Sequence, residues 1–430
     1  MADPGRSERR TLQDMAVSGA GSLAAPLVGL LSIPVIARLF SPAEVGVWAL
    51  VVSLAALLGP VSTMRFELAV VLERNDRDAG RILTICLLGV LVTSLFSWFV
   101  LTLISPWIEA SDWGENLLNR LWAVPVLIFA TGIKVTADGW SVRARAFSLR
   151  AASLVVLVIG TNGGQILLWY AGIRGADGLI LGSVFGSISS ATILFVPLVW
   201  REGLRLKPLS SLRGLMPLAR RHRRFPIYTA PYTLLGSLRR EGVKLVVGAW
   251  GTEAILGSVA FSLRLTNFPA QMFSNGIRPV LFERAARAEH LREIMPFVRR
   301  LQVWLGLGAL PVLIAAEIWT EHIFALVFGE RWLPAVPYAR LLMVPAALFI
   351  CTNWLDRLFD VAGRQDLALR LELIFSLLSI GGLSLGLWGF GDSLVGVGIM
   401  AGVLVIYHVS LAIAAISLVQ QEGGNSEAAS

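Results

Sequence analysis

The stretch "LTICLLGVLVTSLF", residues 83–96, decides the fold class. It carries no charge, and its apolar residues do not alternate with polar ones, so it lacks the period-2 pattern of a strand in a membrane barrel. Inside hydrocarbon every backbone N–H and C=O must be satisfied within the protein, which leaves only helices and closed barrels. The segment is therefore a transmembrane helix. Runs like it recur along all 430 residues, of which 55% are hydrophobic and 15% charged, with a mean hydropathy of +0.70. A helix needs about 20 apolar residues to cross a core of roughly 30 Å. Twelve such spans are expected, at 16–37, 43–64, 82–104, 119–139, 151–172, 178–200, 226–249, 254–276, 300–320, 334–355, 367–389 and 393–418. The predicted class is an all-α integral membrane protein of about twelve transmembrane helices.

The first apolar run follows "MADPGRSERR", a basic start like that of a signal peptide, but it is long for one and further spans follow, so it reads as a retained helix. Cys86 and Cys351 both fall inside spans, which implies neither a disulfide framework nor a metal site. Most of the 37 Lys and Arg residues sit in alternate loops, including the basic runs 201–224 and 278–300. The opposite loops carry acids such as Glu109, Asp112, Glu321 and Glu330. The positive-inside rule then places both termini in the cytoplasm. The net charge of +8 is a topological signal, and basic residues spread over separate loops make no patch for nucleic acid. Trp107, Trp113, Trp169, Trp250, Trp319, Trp332 and Trp388 cluster near the outer ends of spans, as an aromatic belt should.

The segment "REGLRLKPLSSLRGLMPLARRHRRF", residues 201–225, follows the sixth span and divides the chain into an N-terminal lobe (1–200), a basic cytoplasmic linker (201–225) and a C-terminal lobe (226–419). The polar tail 420–430 is expected to be disordered. Two internal echoes support the two-lobe reading. "FSPAEVGVWAL" (40–50) resembles "GTEAILGSVAF" (251–261), and Gly114 and Glu115 of "WGENLL" match Gly329 and Glu330 of "FGERWL". Halves with an even number of spans share an orientation, the arrangement of parallel-repeat transporters that rock about a central cavity.

Charges interrupt the seventh span in "LLGSLRREGVKLVV", residues 234–247. A cation at a helix centre costs about 2.5–3.5 kcal/mol on insertion scales, so it faces a partner, water or a bundle interior. Arg239, Arg240 and Lys244 lie in this span, with Arg240 and Lys244 four apart on one face, and Arg264 lies midway along the eighth. One reading is a wet cationic cavity that receives an anion, with Glu241 balancing charge or coupling transport to an ion. A second is an internal network of Glu241 with Arg239, Lys244 or Arg264 that locks helices together, and a third places the cluster in a loop. Asn267 and Gln271 extend the stripe from Arg264 at spacings of three and four, while Asn162 and Gln165 in "GTNGGQILLW" either line the cavity or serve helix packing. Glu317 and Arg340 read as a structural pair. His222, His290, His322 and His408 show no metal-ligand spacing, no paired carboxylates suggest catalysis, and "GxxxxGK[ST]" is absent, so a transporter without cofactor is favoured over an enzyme.

"ARLFSPAEVGVWALVVSLAALLGPVSTMRFELAVVLERNDRDAG", residues 37–80, resembles the Wzx-type polysaccharide flippases of the MOP (multidrug, oligosaccharidyl-lipid, polysaccharide) exporter superfamily. The turn motif of that family reads here from Arg38 to Leu50 and its "R[YF]ELAxVL" segment from Arg65 to Leu72; "FGERW" (328–332) and "AGRQ" (362–365) extend the likeness along the chain. The resemblance implies a flippase for oligosaccharide linked to undecaprenyl diphosphate, acting in the bacterial inner membrane for O-antigen or exopolysaccharide assembly. Its implied partners are that lipid, membrane phospholipids, a coupling H⁺ or Na⁺, and the polysaccharide polymerase and chain-length machinery. It also implies that spans one, two, seven and eight line the cavity and that their cations meet the diphosphate. The first two spans depart from this, having no basic residue at mid-span, so Arg239, Arg240, Lys244 and Arg264 are the expected anion site. Alternatives are a multidrug antiporter of the same superfamily, whose cavity should be acidic, and a membrane glycosyltransferase or ligase.

Overall fold

The computed structural model describes residues 27–73, 75–110, 113–200, 214–288 and 291–427, and every regular element among them is helical. In chain order these are α1 (Leu27–Leu39), α2 (Pro42–Leu58), α3 (Glu67–Leu72), α4 (Asp76–Glu109), α5 (Gly114–Leu118), α6 (Ala123–Arg143), α7 (Phe147–Tyr170) and α8 (Gly175–Trp200). There follow α9 (Leu215–Arg221), α10 (Ala230–Trp250), α11 (Glu253–Arg287), α12 (Met295–Ile323), α13 (Val336–Thr352), α14 (Asp356–Val361), α15 (Gln365–Ser384) and α16 (Ser393–Glu427). Among the described residues nine helical segments are long and apolar enough to cross a membrane. Helices α10 and α11 do not count among the nine, because charged residues interrupt both. The expectations for residues 1–26, which hold the N-terminus and the start of the first span, and for linker residues 201–213 lie outside the described residues.

Helix boundaries follow local chemistry. At the start of α2 the Ser41 hydroxyl accepts from Glu44 N at 3.4 Å while Ser41 N donates to Glu44 Oε2 at 2.6 Å, with Pro42 at the first helical position. This reciprocal cap satisfies donors that the first turn leaves open. Asn75 caps α4 by accepting from Arg77 N at 2.9 Å. The tail expected to be disordered from 420 instead continues α16 to Glu427. An established helix gains one hydrogen bond for each residue added, which carries it past the apolar segment.

Two compact units are present, Met1–Leu245 with Thr252–Ala254, and Val246–Gly251 with Ile255–Ser430. In the first, α7 and α8 touch backbone to backbone. A methyl group on Gly186 would lie 2.2 Å from Thr161 Oγ1 and 2.5 Å from Thr161 N, and one on Gly182 would lie 2.5 Å from Gln165 Cγ. Small residues allow such approach in hydrocarbon, where tight packing replaces hydrophobic driving force. Ser190 Oγ donates to Ser153 O across the same pair at 2.7 Å.

In the second unit the Trp332 ring stacks on Phe261 of α11 with centroids 4.0 Å apart. Trp332 is fully buried and Trp113 nearly so, which removes both from the expected aromatic belt, whereas Trp107, Trp250, Trp319 and Trp388 are exposed as a belt requires. Trp332 lies in the 3₁₀ turn Glu330–Ala335, which follows Gly329 with its φ of +96° and sets the indole against Phe261. Arg340 and Glu317 form the expected pair, Nε to Oε1 at 3.5 Å, and Arg340 Nη2 also donates to Glu317 O at 3.1 Å.

Candidate functional site

Helix α10 is entered through a π-helical turn, Phe225–Thr229, whose Pro226 occupies a first-turn position where no backbone donor is needed. The helix then runs unbroken through the charged cluster, so the cluster is not in a loop. Ser237, Arg240, Glu241 and Lys244 share one face by their spacing of three and four. Ser237 is fully buried and accepts from Arg240 Nη2 at 3.1 Å. Glu241 pairs with Lys244 one turn on. Both side chains of that pair are half-buried, while Arg239 and Arg240 are exposed.

Tyr228, Tyr232, Leu235 and Arg239 follow a second stripe at spacings of four, three and four, and all four are exposed. The α10 segment therefore carries three cations against one carboxylate, and the carboxylate is engaged by Lys244 within the helix. Such a surface can bind an anion through charge-assisted bonds.

Arg264 lies in the second unit, half-buried on α11, with Asn267 exposed one turn on. The side chain of Gln271 lies outside the described residues. Thr266 Oγ1 donates to Ser262 O at 2.9 Å, and Ser262 Oγ donates to Ala335 O at 3.2 Å, which fixes this part of α11 to the 3₁₀ turn. Asn162 and Gln165 are buried in the first unit. Gln165 Nε2 donates to Leu179 O at 3.1 Å, and Trp48 Nε1 donates to Ser183 Oγ at 2.8 Å. These bonds tie α2, α7 and α8 together and engage Gln165 in helix packing.

The model of the polysaccharide biosynthesis protein family matches residues 35–337, a stretch that includes α10 and Arg264. The chain belongs to the polysaccharide biosynthesis protein family. Among solved structures, the lipid II flippase MurJ in an inward closed conformation is similar over 96% of this chain and 90% of that one, with a TM-score of 0.72 and 12% identity. An inward-facing multidrug resistance MATE transporter of the MOP superfamily covers 93% and 96%, with a TM-score of 0.61 and 14% identity. The outward-facing form of a multidrug resistance MATE transporter covers 97% of each chain, with a TM-score of 0.51 and 15% identity. At these identities the likeness is one of fold, and the fold of this family member is that of the MOP exporters. No curated protein matches the chain.

Within the family-matched region, the turn between α2 and α4 holds a charged cluster that the sequence showed only as part of a motif. Met64 and Arg65 take φ values of +51° and +62°, which turns Arg65 back onto Glu67 with Nη1 2.9 Å from Oε1. Thr63 Oγ1 donates to Glu67 Oε2 at 2.5 Å. Glu67 is buried at 4% exposure, on the short α3 that lies between two spans. Burial raises its pKa above the ordinary carboxylate value, against the Thr63 hydrogen bond and the Arg65 charge, which lower it. A carboxylate whose folded pKa exceeds its unfolded value gives stability that is complete below the unfolded pKa and lost as pH rises through the folded one. Thermal unfolding in detergent should therefore show a midpoint that falls as pH rises above the ordinary carboxylate value, and Glu67→Gln should flatten that fall. Equal slopes for the two proteins would refute this account of Glu67.

Arg143 closes the same region. Its Nη1 donates to Val70 O at 3.0 Å and also to Glu73 O, covering the open carbonyls at the end of α3, and its Nη2 lies 2.8 Å from Asp76 Oδ1. Glu73 in turn meets His222 Nε2 at 2.7 Å and Arg221 Nη1 at 3.3 Å, which docks α9 on this turn.

Proposed function

We propose that this protein is a flippase that moves oligosaccharide linked to undecaprenyl diphosphate from the cytoplasmic to the periplasmic leaflet of the bacterial inner membrane, by alternating access and without covalent chemistry on its cargo. The observation that carries the reading is the set of three cations on one apolar helix of a polysaccharide biosynthesis family member. A diphosphate brings negative charge to a helix on which three cations, Arg239, Arg240 and Lys244, stand against one carboxylate, Glu241. Its oxygens accept charge-assisted hydrogen bonds from guanidinium and ammonium groups. Glu241 pairs with Lys244 and is the carboxylate proposed to exchange that role with the substrate or with a coupling H⁺ or Na⁺. Arg264, with Asn267 and Gln271 on its own helix, is a further proposed substrate contact. Asn162 and Gln165 are left out, since Gln165 is engaged within helix packing.

The sugars would occupy water-filled space and the polyprenyl tail would remain in lipid. Outward movement of the anion is favoured by an inside-negative potential, at about 2.3 kcal/mol per charge per 100 mV. The product would pass to the polymerase and chain-length machinery for O-antigen or exopolysaccharide.

The fold likeness to multidrug transporters supports a second reading, export of small cationic molecules. Purified protein in vesicles separates the two. Labelled undecaprenyl-diphosphate oligosaccharide should change leaflet while a lipophilic cationic dye does not accumulate, and movement of the dye alone would overturn the flippase assignment.

A further inference from the structure

The second unit buries a titratable group that the anion site does not use. His408 lies in the middle of α16 and is 4% exposed. From Ser393 to Gln420 that helix contains no charged residue, and an apolar side chain would fill the same space at lower cost in hydrocarbon. Its surroundings fix which ring nitrogen is basic. Thr352 Oγ1, at the end of α13, donates to Leu348 O at 2.8 Å, so its oxygen is left to accept at 2.9 Å from His408 Nδ1. The proton therefore sits on Nδ1, and Nε2 holds the free lone pair.

Phe349 stands edge-on to the imidazole at 5.7 Å and excludes water from that side. Tyr407 also lies 5.0 Å from the imidazole, centroid to centroid, and its hydroxyl donates to Glu372 Oε2 of α15 at 3.5 Å. A neutral imidazole and a phenol of α16 are thus brought together with a carboxylate of α15 in one unit. Among the described residues, the other charged groups on elements packed against α16 are Asp366 and Arg370 on α15, Arg340 on α13, Asp356, Arg357 and Asp360 on α14, and Glu293 in the 3₁₀ turn Leu291–Ile294. Arg357 is engaged by Asp360 at 2.7 Å and lies 3.8 Å from Asp356.

We propose that His408, with Glu372 linked to it through Tyr407, is a proton-binding site whose loading and release are coupled to substrate translocation. The proton adds to Nε2 and gives an imidazolium that Thr352 orients and the Glu372 carboxylate stabilises. Release returns the neutral ring, with no other bond made or broken. The inference rests on the flippase reading and places the coupling ion away from Glu241.

The test uses the full-length protein in vesicles, with labelled undecaprenyl-diphosphate oligosaccharide and an imposed pH gradient. Wild-type translocation should rise by up to about tenfold per pH unit of gradient, the change in proton activity. His408→Asn keeps an N–H donor for Thr352 and removes the titratable nitrogen. It should gain nothing from a gradient, moving the oligosaccharide at the same rate with one as without. Glu372→Gln, a second variant in case the first fails to insert, should show a weakened gradient response. Wild-type movement indifferent to the gradient, an unchanged response in both variants, or equal loss of both rates in His408→Asn would overturn the proton site and leave the flippase standing. Wild-type protein that moves no oligosaccharide under either condition would instead overturn the flippase reading.

Discussion

Arg240→Ala is expected to slow translocation of the lipid-linked oligosaccharide by roughly ten- to a hundredfold, because one charge-assisted hydrogen bond is worth about 1.5–3 kcal/mol and 1.4 kcal/mol is a factor of ten. The guanidinium is exposed on α10 and held by Ser237 at 3.1 Å, a contact that aims it without neutralising it. Arg240→Lys keeps the charge but loses the planar fork, so it should recover part of the rate. Membrane insertion separates this effect from misfolding. Removing a cation from a membrane helix relieves about 2.5–3.5 kcal/mol of insertion cost, so the alanine variant should reach the membrane at least as well as the wild type. Arg239 lies on the neighbouring stripe with Tyr228, Tyr232 and Leu235, and Arg239→Ala should show a smaller defect. Membrane levels and leaflet distribution, measured on the same cells, check both statements.

Gly186→Ile should prevent the first unit from folding. At this position even a methyl group would meet Thr161 N at 2.5 Å and Leu157 O at 2.8 Å, and backbone atoms cannot rotate away as a side chain can. Overpacking costs about 1–3 kcal/mol where neighbours adjust. Here α7 and α8 would have to separate, with loss of the Gln165–Leu179 and Ser190–Ser153 hydrogen bonds, each worth about 0.6–1.7 kcal/mol in a membrane. Gly186→Ala should lower the unfolding midpoint in detergent and Gly186→Ile should leave no monodisperse protein. A well-folded isoleucine variant would show that the backbone contact is not required.

The helices were legible in the sequence because the membrane requires long apolar runs, and each expected span from the second onward has a helix over it. The internal echoes also have structural counterparts. Ser41 caps α2 just as the aligned Thr252 directly precedes α11, and the matched Gly114 and Gly329 both take positive φ, +35° and +96°. Glycine is called for there because a side chain would clash with its own backbone in that conformation. The charged face of α10 was legible too, since cations in an apolar run stand out against their surroundings.

Tertiary pairing was not legible. Nothing in "GTNGGQ" tells whether Gln165 faces a cavity or the neighbouring α8, and only the position of Leu179 O decides. The inward turn of Trp332 depends on Phe261, some seventy residues away, and the Arg65–Glu67 clasp depends on two left-handed residues that sequence does not favour. His408 gave a signal in the sequence, an ionisable residue in a charge-free span, but its partners Thr352 and Glu372 come from two other helices.

The central claim, that α10 carries the anion site of a flippase, is tested most directly by the leaflet distribution of lipid-linked oligosaccharide in a flippase-null strain. The strain would carry wild type, Arg240→Ala, Arg240→Glu or Arg264→Ala at matched membrane levels. The account predicts that wild type moves the oligosaccharide to the periplasmic leaflet, that the two alanine variants leave most of it facing the cytoplasm, and that charge reversal at Arg240 leaves all of it there. Export by Arg240→Glu at the wild-type rate would contradict the account, because no anion site would keep its function with a carboxylate at that position.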